Sequence, residues 1–561
     1  MRQIILISGH TCNGKSALAG LLKSRYNFEI FKTSSFIQKI ASQKGKSKDR
    51  QSLKRLGDDL DSSTDHRWLK DEIDKFADSL SSETPIVVDS IRKAEQLEVF
   101  RNQLDYEVTH VHLYATRKVL EDRFKKRQID RGFESKESEH QEVDLIKSEE
   151  DIRSFREDAD VRIFTDRTDT EDTFVRVAAY LGLFPSPDRR CVDVLIGGQY
   201  GSEGKGQVAG YLAQEYDVLM RVGGPNAGHK VARESGKYTY HSLPSGSRES
   251  EGDILIGPGA TIYIPEFVKE VSDCAISKNR IYLDPNVMII SDEDREEEKA
   301  LKKAIGSTGR GGGAAAARRI MGRLGSPDTA KLARDYPELT DFVKPTQPRL
   351  QIAYAAGERV LLEGTQGCHL SLYHGQYPYV TSRDTNVAGC LAEAGISPTR
   401  VNRIMMVIRY TPIRVQSPED GHSGDLKHET DFVTIAREAG IPEDLAEQER
   451  TSTTNLRRRV GWFEWEKFRQ ACELNAPTDI ILTFADYQKA ANRDARRFEQ
   501  LEEDTIKFVE ELERVAQAPV SLINTRFPHE EDAPLDLRTL IDRRDWRAKF
   551  DRVGNRNVKN E

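Results

Sequence analysis

The feature that most constrains the fold of this chain is a glycine-rich loop directly after a short apolar run, and it occurs twice. The first apolar run, residues 4–7, leads into loop 9–16, and the second, 192–196, leads into loop 199–206. Such a loop between a strand and a helix turns backbone N–H groups toward a phosphate. Because 561 residues are too many for one ordinary core, we predict two α/β nucleotide-binding domains in tandem.

A boundary is predicted near residue 185, where Pro185 and Pro187 stand among charged residues between two apolar stretches. We predict a first domain over 1–184, a linker over 185–190 and a larger domain over 191–561, with a charged tail from about 543. Alternating strand and helix patterns favour parallel sheets. The predicted strands are 3–8, 85–89 and 108–114, then 192–197, 253–256, 359–363, 404–409 and 479–484.

Composition excludes several classes of protein. A net charge of −8 lacks the basic footprint of a nucleic-acid-binding protein. No apolar run reaches the ~18 residues that a membrane helix needs. The six cysteines show no Cys-x-x-Cys spacing, which is typical of reduced thiols. We therefore expect a cytoplasmic protein whose partners are small molecules, without membrane or nucleic acid.

Residues 9–16 match the phosphate-loop pattern Gly-x-x-x-x-Gly-Lys-Ser/Thr. Gly9 and Gly14 are predicted to let the loop wrap a phosphate. Lys15 is predicted to reach the β- and γ-phosphates, and the Ser16 hydroxyl to hold Mg²⁺. A glycine-rich turn with a surface lysine is the alternative.

Two further features bear on the reaction of the first domain. Asp89 ends a second apolar strand and is a candidate for holding Mg²⁺-bound water, with Arg92 close behind it. The charged stretch 117–158 is typical of two solvated helices, or of a lid that carries arginines over phosphates. Together these features resemble the nucleoside and deoxynucleoside monophosphate kinases. Another small-molecule acceptor, or a regulatory ATPase, stays open.

The second loop, 199–206, is glycine-rich around one lysine but differs from the first pattern. Gly201, Gly204 and Gly206 again favour backbone close to a phosphate, with Lys205 as its counter-charge. A turn of small residues follows and ends at His229. A lone histidine is more often structural, but beside a phosphate loop we predict that it polarises or protonates a substrate oxygen.

Six ordered motifs in the second domain resemble the adenylosuccinate synthetase family over most of residues 190–530. They are 199–206, 225–229, 241–246, 305–311, 363–367 with 377–382, and 453–462. The resemblance implies a homodimeric ligase that uses Mg²⁺. In such a ligase a nucleoside triphosphate phosphorylates the 6-oxo group of a purine monophosphate. The nitrogen of L-aspartate then displaces that phosphate and gives an N6-succinyl purine.

The resemblance also implies a role for individual residues. His229 would stabilise charge on the 6-oxygen, Lys205 the transferring phosphoryl group, and the Gly228 carbonyl would help to bind Mg²⁺. Residues that match the purine monophosphate site are Asn226, Thr308, Gln366, Thr381 and, from the second subunit of a dimer, Arg323. Residues that match the aspartate loop, where planar guanidinium groups suit a dicarboxylate, are Thr453, Thr454, Arg457 and Arg458.

Two departures from the family pattern concern the purine. Ser202 stands at the catalytic position where the family has an aspartate that takes the N1 proton of hypoxanthine. Leu456 stands where the family has an arginine near the ribose hydroxyls. Both resemble a phage-associated branch, the 2-aminodeoxyadenylosuccinate synthetases, which join aspartate to dGMP. A site without a hydroxyl-binding group need not reject a deoxy sugar.

A third departure concerns the phosphoryl donor. The family recognises GTP with a Lys-x-Asp element, of which this chain keeps Asp486 but has Phe484 in place of lysine. A second guanine-contacting turn is replaced by residues 524–526, beginning with Asn524. We therefore predict ATP or dATP, rather than GTP, as donor.

Three hypotheses follow for the second domain. The first is a dGMP–aspartate ligase fused to a nucleotide kinase. The second is an ordinary adenylosuccinate synthetase that uses IMP and GTP, which the serine at position 202 disfavours. The third is a nucleotide-sensing protein without ligase activity, which His229 and Lys205 disfavour.

Overall fold

The computed structural model describes residues 1–102, 105–130, 155–233, 236–323, 329–442, 449–450, 457–527 and 538–544. The chain divides into two compact units, Met1–Phe184 and Pro185–Glu561. Within these described ranges, the helices are too short or too polar to cross a membrane. Most of the predicted charged tail, residues 545–561, lies outside them.

The first unit is built on a five-stranded sheet whose pairings are all parallel. In spatial order its strands are Glu29–Lys32, Ile86–Asp89, Arg2–Gly9, Tyr106–Tyr114 and Val161–Phe164. The central strand is apolar on both faces, since Ile4 and Leu6 face one core and Ile5 and Ile7 the other. This parallel sheet with a phosphate loop after its central strand confirms the predicted α/β, P-loop kinase-like fold.

Helices cover both faces of this sheet. In the described part of the unit they are Lys15–Tyr26, Thr33–Gln43, Arg50–Thr64, Trp68–Asp78, Ala94–Arg101, Arg117–Asp130 and Thr170–Tyr180. The charged stretch predicted from residue 117 begins as a helix, and residues 131–154 of it lie outside the described ranges. Arg123 of that helix donates to the backbone carbonyl of Thr165 at 2.5 Å, so its guanidinium is held at the end of a strand.

The second unit is built on a nine-stranded sheet. In spatial order its strands are Ile281–Leu283, Asp253–Ile256, Val218–Arg221, Val360–Glu363, Val192–Gly197, Val401–Arg409, Asp479–Thr483, Val520–Asn524 and Leu540–Asp542. Only the last pairing is antiparallel among those described. Strands buried on both faces explain the unbroken apolar runs in the sequence. The predicted larger α/β domain is confirmed.

Helices and small sheets complete the second unit. The helices are Lys205–Leu212, Ile264–Asp273, Asp292–Glu297, Lys299–Ile305, Gly312–Met321, Thr346–Ala356, Val387–Ala394, Phe432–Ala439, Trp465–Asn475 and Glu503–Ala516. The small sheets pair Thr261–Ile262 with Met288–Ile289, His229–Arg233 with Gly236–Tyr240, and Arg458–Gly461 with Ile413–Val415 and Glu429–Thr430. The loops that follow the parallel strands meet at one edge of the large sheet, where ligands of α/β proteins bind.

Candidate active site

In the first unit, loop 9–16 joins the central strand to the helix Lys15–Tyr26. Gly9 has φ 134°, and a Cβ there would stand 2.1 Å from the carbonyl oxygen of Leu113, so only glycine fits. Lys15 Nζ donates to the carbonyl oxygens of Gly9 and His10 at 2.8 and 2.7 Å. The loop thus has the strand–loop–helix geometry of a phosphate site.

The predicted magnesium-binding oxygens of this unit lie together. Ser16 Oγ donates to Asp89 Oδ2 at 2.6 Å. Arg92 follows the same strand, and its backbone N–H donates to Gln96 Oε1 at 3.0 Å. A hydroxyl and a carboxylate fit an ion that takes most of its other ligands from phosphates and water. Within the described residues no cluster of three or more His, Cys, Asp or Glu side chains is arranged for a metal.

In the second unit, the loops at the sheet edge enclose a cavity of about 340 Å³. This volume falls in the range of small-ligand sites. Residues predicted from the sequence that line it are Gly201, Ser202, Gly204, Lys205, Gly206, Asn226, Gly228, His229, Thr308, Gln366, Thr381, Arg458 and Asp486. Segments far apart in the sequence therefore form one site.

Other predicted residues lie elsewhere. Arg323 and Arg457 are exposed and do not line the cavity. Asn524 is buried, and its amide donates to the backbone of Arg526 and Thr539 rather than to the cavity. Thr453 and Thr454, with Leu456, lie outside the described residues.

Loop 199–206 is shaped by Glu203, a fully buried carboxylate. Glu203 Oε1 accepts from the backbone N–H groups of Gln199 and Gly201 at 3.1 and 2.8 Å, and Oε2 lies 2.5 Å from Lys205 Nζ. A Cβ at Gly206 would stand 2.8 Å from the Cβ of His229, so glycine lets the two segments touch. The lysine, the helix N-terminus and the histidine therefore converge on one point of the wall.

His229 is oriented by a buried carboxylate. Its Nδ1 lies 2.5 Å from Glu363 Oε1, and Ser245 donates to the same carboxylate through Oγ and its backbone N–H. Burial, together with Arg221, lowers the pKa of His229 to about 4. Burial would raise the pKa of Glu363, but His229 and Arg221 hold it at about 2. An ionised carboxylate only accepts, so Nδ1 carries the proton and Nε2 is left for a ligand.

The wall that matches the purine monophosphate site carries polar atoms in need of a partner. Asn226 Oδ1, Thr308 Oγ1 and Gln366 Oε1 are buried without a hydrogen-bond partner in the described part of the chain. Gln366 Nε2 donates to Thr381 Oγ1 at 2.7 Å. Buried polar atoms are ordinarily satisfied, so three such atoms in one cavity point to a polar ligand.

The opposite wall holds an ion network. Glu449 accepts from Arg409 at 2.6 Å and lies 3.4 Å from Arg458, and the Tyr487 hydroxyl also donates to it. Burial would raise the pKa of Glu449, but Arg409 and Arg458 hold it at about 2. This network therefore stays charged at neutral pH and holds the guanidinium of Arg458 at the cavity.

Phe484 and Asp486 line the cavity near the phosphate loop. Phe484 Cε2 lies 3.4 Å from the position that a Cβ on Gly204 would take. Asp486 Oδ1 is buried without a hydrogen-bond partner among the described residues. Burial raises the pKa of Asp486 to about 7, although Arg493 and Arg409 oppose it. An aromatic ring beside a carboxyl group with one unpartnered oxygen suits the base of a nucleotide.

Glu203 and Glu363 lie in motifs that were recognisable in the sequence, but no role was predicted for either residue. Arg409 and Glu449 were not predicted as site residues. For Glu203 a local signal was present, because Lys205 stands two residues further along the chain. Glu363 contacts a histidine 134 positions away, which no local pattern reveals.

A cavity lined by a buried lysine at a helix N-terminus and a carboxylate-oriented histidine, opposite a charged arginine, is typical of an enzyme that binds phosphorylated ligands. Residues 194–327 and 326–493 match the adenylosuccinate synthetase family. An adenylosuccinate synthetase of Methanococcus aeolicus is 34% identical over 340 residues, which cover 59% of this chain and 96% of that protein. One of Thermococcus onnurineus is 35% identical over 364 residues, which cover 63% and 98%. The chain belongs to the adenylosuccinate synthetase family.

Two solved structures are similar to the chain. The succinoaminodeoxyadenylate synthetase PurZ of cyanophage S-2L, bound to dGMP and dATP, has a TM-score of 0.51 and 27% identity, and the match covers 65% of this chain and 98% of that one. A fully ligated adenylosuccinate synthetase from Plasmodium falciparum has a TM-score of 0.54 and 21% identity, with 63% and 99% covered. The second unit is thus a nucleotide-binding ligase of the adenylosuccinate synthetase type, in purine biosynthesis.

Proposed function

We propose that the ligase joins L-aspartate to C6 of dGMP, with ATP or dATP as phosphoryl donor. The observation that carries this choice is Ser202. Of the described residues that line the cavity, the carboxylates are Glu298, Glu449 and Asp486, and loop 199–206 contributes none. A serine hydroxyl is no base at neutral pH. It accepts a hydrogen bond from the guanine 2-amino group, at a place where a carboxylate would serve the N1–H of hypoxanthine.

The proposed reaction has two steps. The γ-phosphoryl group of the donor passes to the 6-oxygen, the nucleoside diphosphate leaves, and the N1 proton of guanine passes to a base or to water. This turns a poor leaving group into a good one. The aspartate amino group then attacks C6 and loses a proton, and phosphate leaves with the 6-oxygen. Lys205 and the amides of its helix N-terminus neutralise the phosphoryl group. His229, once the bound phosphates and Glu363 favour its doubly protonated form, donates from Nε2 to the 6-oxygen. The Gly228 carbonyl would help to hold Mg²⁺, which would supply further charge neutralisation at the nucleotide phosphates.

Asp486 and Phe484 support an adenine nucleotide as donor. A carboxyl group near its pKa at neutral pH carries a proton part of the time. In that form it donates to adenine N1 and accepts from the 6-amino group, and the phenyl ring of Phe484 offers a face for stacking. The cyanophage enzyme bound to dATP supports the same choice.

We propose that aspartate binds at Arg458, together with Arg457, Thr453 and Thr454. The charged network behind Arg458 supports this assignment, because a guanidinium held by an ionised Glu449 presents its free edge in one orientation. Two carboxylates of aspartate match that planar donor better than a single phosphate does.

The second candidate is an ordinary adenylosuccinate synthetase that uses IMP and GTP. Two observations favour it: Asp486 is kept from the family's guanine-recognition element, and relatives of this description are 34% and 35% identical. Hypoxanthine and guanine both carry a proton on N1, so either candidate requires a group other than Ser202 to take that proton.

We also propose that the first unit is a nucleotide kinase. The contact of Ser16 with Asp89 and the position of Lys15 in its loop support it. Chromatography of deoxynucleoside monophosphates incubated with ATP and Mg²⁺ tests it. We expect diphosphates from the intact chain and none from Lys15→Met. ATP hydrolysis without transfer would favour a regulatory ATPase.

A homodimer of the second unit is proposed as well. Ile320 and Met321 are 64% and 77% exposed at the end of a helix, close to Arg323. Exposed apolar side chains beside a cation suit a subunit interface that brings Arg323 to the other cavity. Sedimentation velocity tests this: we expect a dimer, and a monomer at all concentrations would contradict it.

The ligase is tested by incubating the purified chain with aspartate, Mg²⁺ and either dGMP plus ATP or IMP plus GTP. Mass spectrometry detects a succinyl-purine monophosphate. We expect product from dGMP, and Ser202→Asp should lower its rate by about 10-fold or more in favour of IMP. The matched control is Ser397→Asp, at an exposed serine outside the cavity. Product only from IMP overturns the proposal, and bound nucleotide without product favours the sensing protein.

A further inference from the structure

Arg409 is a buried cation that no step of the proposed reaction uses. It ends the strand Val401–Arg409, and its side chain is 1% exposed. Its backbone N–H donates to Gln199 Oε1 at 2.9 Å, and its carbonyl accepts from Gln199 Nε2 at 3.0 Å. Arg409 is therefore fixed at the first residue of loop 199–206. A buried charge is costly unless it is paired, so its partners indicate its role.

On its polar side, Arg409 reaches the wall where aspartate is proposed to bind. Nη2 donates to Glu449 Oε1 at 2.6 Å, while Glu449 Oε2 lies 3.4 Å from Arg458 Nη1. Glu449 and Arg458 line the cavity. The Glu449 carboxylate is therefore shared between the guanidinium groups of Arg409 and Arg458. A displacement of Arg409 shifts this carboxylate, and with it the position and the electrostatic surroundings of Arg458.

The flat face of the Arg409 guanidinium contacts the cavity wall where the base of the donor nucleotide is proposed to bind. Its guanidinium carbon lies 3.9 Å from the ring centroid of Phe484 and 4.8 Å from that of Tyr487. Phe484 in turn lies beside Gly204 of the phosphate loop. A guanidinium stacks on aromatic rings through its whole plane, which a lysine ammonium does not reproduce.

We propose that Arg409 is a positioning residue that couples the donor nucleotide site to the aspartate site. A nucleotide held against Phe484 fixes the ring, the ring fixes the guanidinium, and the guanidinium fixes Glu449 and Arg458. Coupling between two binding sites is reciprocal, so bound aspartate also raises the affinity for the donor nucleotide. The inference rests on the proposed positions of the donor base and of aspartate.

The test is Arg409→Lys, which keeps the charge and removes the planar stack. We expect the KM for aspartate to rise by about 10-fold, with a smaller change in kcat. Calorimetry of aspartate, with purine monophosphate bound and with or without a non-hydrolysable ATP analogue, gives the coupling factor. We expect about 5-fold or more in the native chain and close to 1 in the variant.

The matched control is Arg400→Lys, directly before the first residue of the same strand. Arg400 is also buried and lies 4.5 Å from the ring centroid of Tyr354, but it does not line the cavity. We expect its aspartate KM and coupling factor to equal those of the native chain. Equal losses in both variants would show a general loss of packing and would overturn the proposal.

A second variant, Phe484→Leu, approaches the network from the donor side and leaves the Arg409–Glu449 pair in place. A raised aspartate KM supports the coupling, and an unchanged KM together with an unchanged coupling factor overturns it. If the native chain forms no succinyl product from any nucleotide pair, the proposed ligation fails. The calorimetric coupling factor then still decides the role of Arg409.

Discussion

The two phosphate loops of this chain share a local plan and differ in what surrounds their lysines. In each, a helix begins after a glycine in the left-handed region, with φ 87° at Gly14 and at Gly204. Lys15 donates to neutral carbonyl oxygens of its own loop. Lys205 is buried against the carboxylate of Glu203 at 2.5 Å.

The difference shows that one backbone geometry can hold its lysine against two kinds of partner, carbonyl oxygens in the first loop and a carboxylate in the second. The carbonyl oxygens of Gly9 and His10 hold Lys15 at its own loop, in position for the phosphates of a bound nucleotide. Glu203 balances Lys205 and also accepts two loop amides, so the second loop keeps its shape and charge balance without a ligand. In the proposed reaction, the second loop holds the phosphoryl group while it passes from the donor to the 6-oxygen. Lys205 contacts the phosphoryl group, and His229 contacts the 6-oxygen.

The largest effect is expected from removing each lysine in turn. Lys205→Met should lower ligation by about 1,000-fold, because the transferring phosphoryl group loses its counter-charge. Lys15→Met should remove nucleotide phosphorylation and leave ligation intact. Both activities are measured on both variants, with melting temperatures as the control for folding. Loss of both activities in both variants would break the comparison between the loops.

The next effect concerns His229. Glu363→Gln should lower kcat for ligation by about 100-fold, because a neutral amide does not stabilise a charged imidazole and its NH₂ group can donate to Nδ1, which moves the ring proton to Nε2. The pH profile of kcat should change shape as well. Asp284→Asn, at a buried carboxylate that accepts from Thr346, is the control and should keep the profile. An unchanged profile in Glu363→Gln would remove the histidine from the mechanism.

A smaller effect concerns stability and pH. Burial raises the pKa of Asp486 to about 7 from 3.8, so its contribution to stability is present at low pH and is lost as pH rises through 7. Between pH 5 and 8 the free energy of unfolding of the native chain should fall by about 2 kcal/mol relative to that of Asp486→Asn. Urea unfolding of the second unit measures this difference. Parallel curves for the two proteins would show that the carboxyl group is ionised throughout.

The smallest effect is expected from a substitution that changes the first unit alone. Asp169 caps the helix Thr170–Tyr180 and accepts from the Asp172 backbone N–H at 2.8 Å. Asp169→Ala should lower the stability of the first unit by about 1 kcal/mol, seen by hydrogen exchange in that helix. Ligation should be unaffected. A reduced ligation rate would count against separate functions of the loops.

Local features of the fold were predictable from the sequence. Strand Val192–Gly197 was predicted with its observed bounds, because an apolar run interrupted only by Asp193 leads directly into a glycine-rich loop. Strands Val218–Arg221 and Val520–Asn524 were missed. Each holds four or five residues, and whether so short a run becomes a strand depends on its neighbours in the sheet, so the sequence predicted the four-residue strand Asp253–Ile256 but not these two.

The site was predictable where residues act through the backbone or through a known motif, and not where they act through distant partners. Loop 199–206 and His229 were recognisable in the sequence. The pairing of Arg409 with Glu449 was not, because it joins residues 40 positions apart through the folding of an intervening segment. Burial sets the pKa of His229 and Asp486, and burial is known only once the sheet is formed.

The most direct test of the central claim follows the 6-oxygen of the purine. The native chain is incubated with dGMP labelled with ¹⁸O at position 6, ATP, aspartate and Mg²⁺, and the phosphate released is analysed by mass spectrometry. A phosphorylated 6-oxygen that leaves with phosphate predicts one labelled phosphate for each succinyl-purine formed. Succinyl-purine formed with unlabelled phosphate, or label that stays on the purine while ATP is consumed, would contradict it.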